Sequence, residues 1–329
     1  MCPVCKGPLA GGEAAYACPS CARAYPIVAG IPDFRIHPDP YIGLEADREK
    51  GARLDAAASE GRGFEEMVRY YYSITPDHPA DLARRRVRHA MAEAGIAAAV
   101  LAQTGAWPGR PVRALLDVGC STGGLLVAAR ERAATLVGVD VAFRWLTVGR
   151  LRLREAGVTA FLVCANAEAL PFEAGSFDYV TATDLLEHAR DAAASVREAG
   201  RVLSGGGETL WTTNNRWAPL PEPHVGLFGV GWLPRRWQKG YVARRRADLR
   251  EYEVSLKSVR EIRRFFRAAG FSRIAVAPAP LVAPGRTRAA GALALYNRLR
   301  LAPVFSTAAR WFGPRLAVRA WKDAAGMSQ

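Results

Sequence analysis

The sequence predicts an α/β fold in which a mostly parallel, doubly wound sheet carries helices on both faces. Three observations support this fold class. From residue 112 onward, short apolar runs alternate with segments of helical periodicity, as expected for strand–helix–strand units. The apolar runs contain few polar residues, which is typical of strands buried on both faces. The chain has 329 residues and is 50% hydrophobic, so it can bury a core of this size.

The predicted strands and helices follow one another regularly along the chain. The strands cover residues 112–119, 135–141, 159–166, 177–186, 207–215 and 273–279. The helices between them cover residues 123–133, 143–157, 191–203 and 258–271. One or two amphipathic helices follow at 288–313, before a last strand at 314–322. We expect these late helices to pack against the sheet, although they could instead lie on a membrane surface.

Four of the six cysteines lie at the start of the chain, in two CxxC pairs separated by twelve residues. They are Cys2, Cys5, Cys18 and Cys21. Two such turns can place four thiolates tetrahedrally around Zn²⁺. Two disulfides or a redox pair are the alternatives, and we expect a cytoplasmic chain, which disfavours disulfides. The pattern therefore predicts a zinc ribbon over residues 1–36. Its metal would be structural, because four cysteines leave no open coordination position.

The segment that follows the cysteines adds a family resemblance. CPVCKGPL, YACPSCARAYPIVAGIPDF and their spacing resemble the small zinc-ribbon proteins that activate tRNA and rRNA methyltransferases. They also resemble the zinc ribbon fused ahead of bacterial rRNA guanine methyltransferases. Residues 37–110 then show helical spacing at 64–74 and 80–103, and we interpret them as a helical cap or linker.

The stretch LLDVGCSTGG, residues 115–124, places small residues directly after the first strand of the sheet. In a doubly wound sheet, ligands bind beyond the carboxyl ends of the strands. Glycines at this turn let the backbone approach a ligand closely. Asp140 ends the second strand, where a carboxylate can accept both hydroxyl hydrogens of a ribose. A dinucleotide fingerprint, GxGxxG, is not matched, because Ser121 occupies the middle glycine position.

Five segments in combination resemble the class I S-adenosylmethionine-dependent methyltransferases: LLDVGCSTGG, VGVD, NAEALPF, SFDYV…LLEH and GRVLSGGGETLWTT. The resemblance covers roughly residues 113–213. It implies a Rossmann-like methyltransferase domain over residues 111–329, with seven strands, an antiparallel last strand, and S-adenosyl-L-methionine as cofactor. The cofactor-binding residues that it implies are Asp117, Gly119, Ser121, Gly123, Asp140, Asn166 and Ala167. The family usually has Asp at the position of Asn166.

Methyl transfer from a sulfonium mainly requires alignment of the acceptor with the methyl group. A general base matters only when the acceptor carries a proton that must leave. The candidates for catalytic residues are Asp184, His188 and His224. Residues 214–253 are rich in Trp, Pro, Gly and Arg, and we interpret them as a substrate lid.

The formal net charge of +14 favours anionic partners, although the excess of Arg over Lys also fits a coding bias. We expect a methyltransferase that acts on a small-molecule or lipid-like acceptor by direct in-line transfer. One alternative is an rRNA or tRNA methyltransferase that uses the ribbon and the basic surface to bind nucleic acid. A second alternative is a non-catalytic zinc-ribbon docking module. No apolar run is long enough to predict a transmembrane segment.

Overall fold

A computed structural model describes residues 1–75, 80–247, 252–285 and 287–324, with the side chains of residues 80 and 81 left out. The chain begins with a small antiparallel sheet in the order β1-β2-β3-β4. Its strands are β1 (Ala10–Gly11), β2 (Ala15–Ala17), β3 (Ala24–Val28) and β4 (Ile31–Pro32). This sheet and the cysteine turns around it form the ribbon that the cysteine spacing predicts.

Three helices follow the ribbon: α1 (Leu44–Ser59), α2 (Phe64–Ser73) and α3 (Ala80–Thr104). The sequence predicts α2 and α3 but not α1. The sequence of α1, LEADREKGARLDAAAS, has few large apolar residues. Its buried side chains include the carboxylate of Asp47, so polar contacts with the following domain hold much of this helix in place.

The main sheet has seven strands, as the family resemblance implies. They are β5 (Val112–Val118), β6 (Ala133–Asp140), β7 (Phe161–Cys164), β8 (Phe177–Thr183), β9 (Leu203–Asn214), β10 (Arg273–Pro278) and β11 (Arg315–Trp321). The order across the sheet is β10-β11-β9-β8-β5-β6-β7. Strand β11 is antiparallel to both of its neighbours, and the other pairs are parallel. The doubly wound α/β prediction is confirmed.

Seven helices accompany these strands within the described residues. They are α4 (Gly124–Ala128), α5 (Phe143–Glu155), α6 (Ala192–Val202), α7 (Arg235–Arg245), α8 (Val259–Ala268), α9 (Ala290–Leu299) and α10 (Pro303–Phe312). Helix α4 is shorter than the predicted 123–133. Helix α7 lies within the predicted lid and begins directly after Pro234, a residue that is compatible with a helix start but not with a helix interior.

The prediction that residues 288–313 pack against the sheet is confirmed for α10, which lies against β10 and packs Trp311 on the core, but not for α9. Helix α9 has no buried residue, and Ala309 is the buried residue of α10. Strands β10 and β11 pair directly with each other. The two helices are an excursion between those strands. Among the described residues, no helix is both long enough and apolar enough to cross a bilayer.

Candidate cofactor and catalytic site

The bend after β5 and the acid at the end of β6 are in direct contact. The backbone N–H of Ser121 donates to Oδ2 of Asp140 over 2.8 Å, and the N–H of Ala142 donates to Oδ1 over 2.8 Å. Each carboxylate oxygen keeps a second lone pair for another donor. Burial raises the pKa of Asp140 to about 6. The structure thus brings together the bend and the carboxylate at one carboxyl edge, as the spacing predicts.

The bend has a backbone geometry that suits close approach of a ligand. Gly119 and Gly123 adopt φ values of +77° and +78°, and Ser121 also lies in the left-handed region. A Cβ at Gly119 would lie 3.1 Å from Cδ1 of Leu185, the side chain that packs over the bend. The N–H groups of Gly119 and Cys120 both donate to the carbonyl of Val139, which fixes the bend against β6.

Asp117 lies at the end of β5 and is almost completely buried. The hydroxyl of Thr181 donates to its Oδ1 over 2.8 Å. Burial raises the pKa of Asp117 to about 7, since an ionised carboxylate in this position lacks water. Such a carboxylate is ready to bind a cationic group, because a positive charge would compensate the cost of ionising it.

Asn166 has partners that the sequence does not indicate. Its Oδ1 accepts the N–H groups of Ile36 and His37 over 2.8 and 3.1 Å, and its Nδ2 donates to the carbonyl of His37 over 3.2 Å. An amide can both accept and donate here, whereas an ionised carboxylate can only accept, which gives a reason for Asn where the family usually has Asp. The adenine-facing role of Asn166 and of the neighbouring, buried Ala167 stays a prediction.

The chain between the ribbon and α1 runs along the ends of β6 and β7. Phe34 N–H donates to the carbonyl of Cys164, and Arg35 donates to the carbonyl of Val141, one residue after Asp140. Arg35 is fully buried and forms ion pairs with Asp33 and Asp47 over 2.7 and 2.6 Å. This connection therefore borders the cofactor edge, a relation that no local sequence pattern indicates.

The same buried cluster anchors the start of α5. Asp47 accepts the N–H of Phe143 over 2.8 Å and pairs with the guanidinium of Arg144 over 2.8 Å. A carboxylate at this end of a helix also interacts favourably with the helix dipole. Arg144 extends the cluster to Asp39 over 3.3 Å. The helical cap is thus bonded to the segment that immediately follows Asp140.

Asp184, a predicted catalytic candidate, follows β8 in a left-handed backbone conformation. Its Oδ1 accepts a hydrogen bond and ion pair from Arg315 over 2.5 Å, and Arg315 also donates to the hydroxyl of Thr212 over 3.0 Å. Arg315 lies at the start of β11, so this pair joins two strands of the sheet. A base role for Asp184 stays a prediction.

His188 and His224, the other two candidates, lie in contact. His188 follows β8, and His224 lies in the predicted lid. Their Nε2 atoms lie 3.1 Å apart, and Nδ1 of His224 contacts Oε1 of Glu222 over 2.5 Å. Burial lowers the pKa of His188 to about 4. Burial also lowers the pKa of His224, but the hydrogen bond and charge of Glu222 outweigh this effect and raise it above its ordinary value.

Glu222 is the functional candidate that sequence reasoning missed. It is buried, and besides His224 Nδ1 it accepts the backbone N–H groups of His224 and Val225. The available signal was its spacing, PEPH, which places a carboxylate two residues before the histidine. The three side chains form a row, Glu222–His224–His188. His188, the last member, follows Leu185 by one turn, and Leu185 packs over the bend.

The four N-terminal cysteines converge as predicted. Their Sγ atoms all lie within 4.8 Å of one another. The pairs Cys2–Cys21 and Cys5–Cys18 are separated by 3.7 and 3.4 Å. Tetrahedral Zn²⁺ with Zn–S bonds of about 2.3 Å requires S–S separations of about 3.8 Å, so the cluster has the size of such a site.

A cavity of about 1050 Å³ lies away from the cofactor edge. It lies between the ribbon and β7, and its walls include Tyr16, Phe34, Phe161 and Phe172. The bend and Asp140 are absent from its lining. The chemistry of the bend and of Asp140, and not this cavity, indicates where the cofactor would bind.

Comparison with known proteins adds independent information. Residues 116–210 match the family model described as a methyltransferase domain. The ubiquinone biosynthesis O-methyltransferase of Idiomarina loihiensis is 37% identical over 128 residues, which are 37% of this chain and 51% of the relative. That of Pseudomonas paraeruginosa is 36% identical over 119 residues, 36% of this chain and 49% of the relative. The chain thus spans about half the length of the curated relatives it matches.

Two solved structures are similar at low identity. Geranyl diphosphate C-methyltransferase from Streptomyces coelicolor is 20% identical, with a TM-score of 0.47, over 74% of this chain and 78% of that one. Phosphoethanolamine N-methyltransferase 2 from Haemonchus contortus is 21% identical, with a TM-score of 0.47, over 70% and 52%. The residues that match the methyltransferase-domain model include the bend and Asp140 and lie within the seven-stranded sheet, so the central part of this chain is similar to methyltransferase domains.

Proposed function

We propose that the protein binds S-adenosyl-L-methionine at the bend after β5 and methylates a small-molecule or lipid-like acceptor. The 2.8 Å contact between the Ser121 N–H and Asp140 carries the cofactor assignment, because it unites a backbone bend with a ribose-binding acid. Asp117 would face the cationic methionine part, and Asp140 the ribose. When bound, the cofactor supplies a methyl group made electrophilic by its positively charged sulfur.

The row Glu222–His224–His188 supports an acceptor that must lose a proton, such as a hydroxyl. In the proposed relay, neutral His224 would donate its Nδ1 proton to Glu222, and its Nε2 would accept the Nε2 proton of His188; the two contacts allow this tautomer. A proton taken up at Nδ1 of His188 then shifts the Nε2 proton to His224. The positive charge comes to rest beside Glu222, which matches the opposite pKa shifts of the two histidines.

The curated relatives are named as ubiquinone biosynthesis O-methyltransferases, which is consistent with a hydroxyl on a lipid-like acceptor. Direct in-line transfer to such an oxygen needs alignment and one base, and the histidine row would supply the base. We further propose that Zn²⁺ occupies the four-cysteine cluster as a structural ion, since the donor set and its dimensions suit this metal.

Calorimetry with S-adenosylhomocysteine tests the cofactor site. Asp140→Asn should weaken binding by about tenfold or more, because hydrogen bonds to a charged group contribute about 1.5–3 kcal/mol. Asp178→Asn is the matched control: this buried carboxylate also accepts a backbone N–H, but at the opposite end of the strands. Equal affinity for both variants and the unaltered protein would refute the assignment.

Transfer of a labelled methyl group into fractionated cell extract tests the acceptor class. We expect label in the organic-soluble or small-molecule fraction. Label in RNA, together with steeply salt-dependent RNA binding, would favour the nucleic-acid alternative instead. Cofactor binding without transfer to any fraction would favour a docking module.

A further inference from the structure

The excursion between β10 and β11 exposes large apolar side chains that no described element covers. Leu301 and Val304, between and at the start of the two helices, are 70% and 86% exposed. Leu295, Leu299 and Phe312 are also exposed. Within the helix pair, Tyr296 and Phe305 pack on each other, so the pair holds its shape while its outer side chains face water. Exposed apolar clusters of this kind mark interaction surfaces.

The apolar surface continues onto the lid. Phe312 at the end of α10 stacks on Trp232, with ring centroids 6.4 Å apart, and Trp232 contacts Trp217. Trp232 and Trp237 are about half exposed. Aromatic side chains with a polar N–H are frequent where a protein meets the headgroup region of a bilayer. The surface therefore reaches from α9–α10 to the lid that carries His224.

The positive charge around the exposed apolar side chains favours one class of binding partner over the others. Residues 262–322 contain twelve Arg and Lys residues and no Asp or Glu. Arg288 and Arg298 are exposed beside the apolar side chains, and Arg236 lies over the ring of Trp237. A second copy of this chain would present the same positive charge and be repelled. RNA would match the charge but would leave Leu301 and Val304 without apolar contacts.

We propose that the surface formed by α9, α10 and the exposed aromatic residues of the lid docks the protein on an anionic lipid bilayer. The leucines, Val304 and the tryptophans would enter the headgroup region, while the arginines would contact lipid phosphates. Docking would place the lid beside the bilayer, so that a lipid-like acceptor could reach the site without crossing bulk water. This route for the acceptor rests on the proposed function, whereas the docking itself does not.

Co-sedimentation with vesicles tests the docking. The full chain is mixed with vesicles of phosphatidylcholine alone or with phosphatidylglycerol added. We expect binding to the anionic vesicles that decreases, but is not abolished, as salt rises. The double variant Leu301→Glu, Val304→Glu should bind them at least about tenfold more weakly, because two apolar side chains no longer enter the interface.

Phe161→Glu is the matched control. Phe161 is also exposed, but it lies on β7, at the opposite edge of the seven-stranded sheet, about 29 Å from β10. The Phe161→Glu variant should bind the anionic vesicles as strongly as the unaltered protein does. Equal vesicle binding by the double variant, or no binding of the unaltered protein to anionic vesicles, would overturn the docking surface. Binding of S-adenosylhomocysteine, measured in parallel, reports separately on folding and on the proposed function.

Discussion

Nε2 of His188 lies 3.1 Å from Nε2 of His224, although 36 residues separate them in the chain. One atom of the pair must carry the shared proton, and Glu222 beside His224 favours His224 as its final position. In the proposed mechanism, the predicted lid contributes the group that finally holds the proton.

The first prediction concerns the pH dependence of methyl transfer. A protonated His224 cannot accept a further proton, so the rate should fall as pH drops through the raised pKa of His224, above the ordinary value of about 6.5. Glu222→Gln removes the charge that raises this pKa. It should lower kcat by about 100-fold and move the acidic limb to lower pH.

The control for this prediction is Glu253→Gln, which removes another lid carboxylate, one that pairs with Lys239. It should leave the pH profile in place. Steady-state rates between pH 5.5 and 8.5 at saturating cofactor provide the measurement. A profile that Glu222→Gln does not shift would show that the histidine pair is structural.

Because Asp117 is buried, we expect the free energy of unfolding to decrease as the pH rises. Its folded-state pKa of about 7 exceeds the unfolded value of 3.8, so the folded protein holds this proton more tightly. The contribution of the Asp117 proton to the free energy of unfolding is fully present below about pH 4 and is lost as the pH rises through about 7. Asp117→Asn should therefore be more stable at pH 8 by about 2–4 kcal/mol, and equally stable near pH 4.

Urea unfolding of both proteins at pH 4.5 and pH 8 provides the measurement, without cofactor. The same variant should bind S-adenosylhomocysteine more weakly, because the carboxylate is expected to face the methionine amino group. A pH-independent difference in stability between the two proteins would contradict the burial argument.

Zinc should influence cofactor affinity through the connection that follows the ribbon. Arg35 donates to the carbonyl of Val141, one residue from Asp140, so loss of the ribbon should loosen that side of the site. Cys5→Ser, a change at an exposed cysteine, should remove zinc and weaken binding of S-adenosylhomocysteine by about tenfold. Metal analysis and calorimetry on the same samples test this.

Cys120→Ala provides the comparison, since Cys120 is a buried thiol outside the cluster. It should keep one zinc ion per chain. Complete loss of zinc in Cys5→Ser with unaltered affinity for S-adenosylhomocysteine would show that the ribbon and the site are independent.

Asn166→Asp restores the residue that the family usually has, yet it should harm this protein. The new oxygen would face the carbonyl of His37 in place of an N–H donor, which should cost about 1–3 kcal/mol. Because the connection borders the cofactor edge, affinity for S-adenosylhomocysteine should fall as well. Thermal unfolding and calorimetry measure the two effects.

Asn297→Asp is a matched control, because Asn297 makes the same pair of contacts with the N–H and carbonyl of Leu281, on the excursion between β10 and β11. It should lower stability to a similar extent and leave cofactor affinity unaltered. If both variants lost affinity equally, the effect of Asn166 would be one of global stability.

The sequence by itself determined the α/β class, the seven strands and the glycine bend with its partner acid. These features are local: apolar runs set strands, helical periodicity sets helices, and a small-residue turn must follow a buried strand that binds a ligand at its end. The two CxxC pairs also predicted the cysteine cluster from the sequence, because each pair of ligands needs only one local turn to bring its thiols together.

Only the tertiary structure decided which distant polar groups meet. Asp47 accepts the N–H of Phe143 at the start of α5 from 96 residues away. Glu222 contacts His224 in a segment whose start lacks a regular pattern. Burial gives these contacts their strength, and burial depends on the packing of the whole chain. The exposure of α9 and α10 also depends on the packing of the whole chain. An amphipathic sequence predicts an apolar face but does not say whether another element covers it.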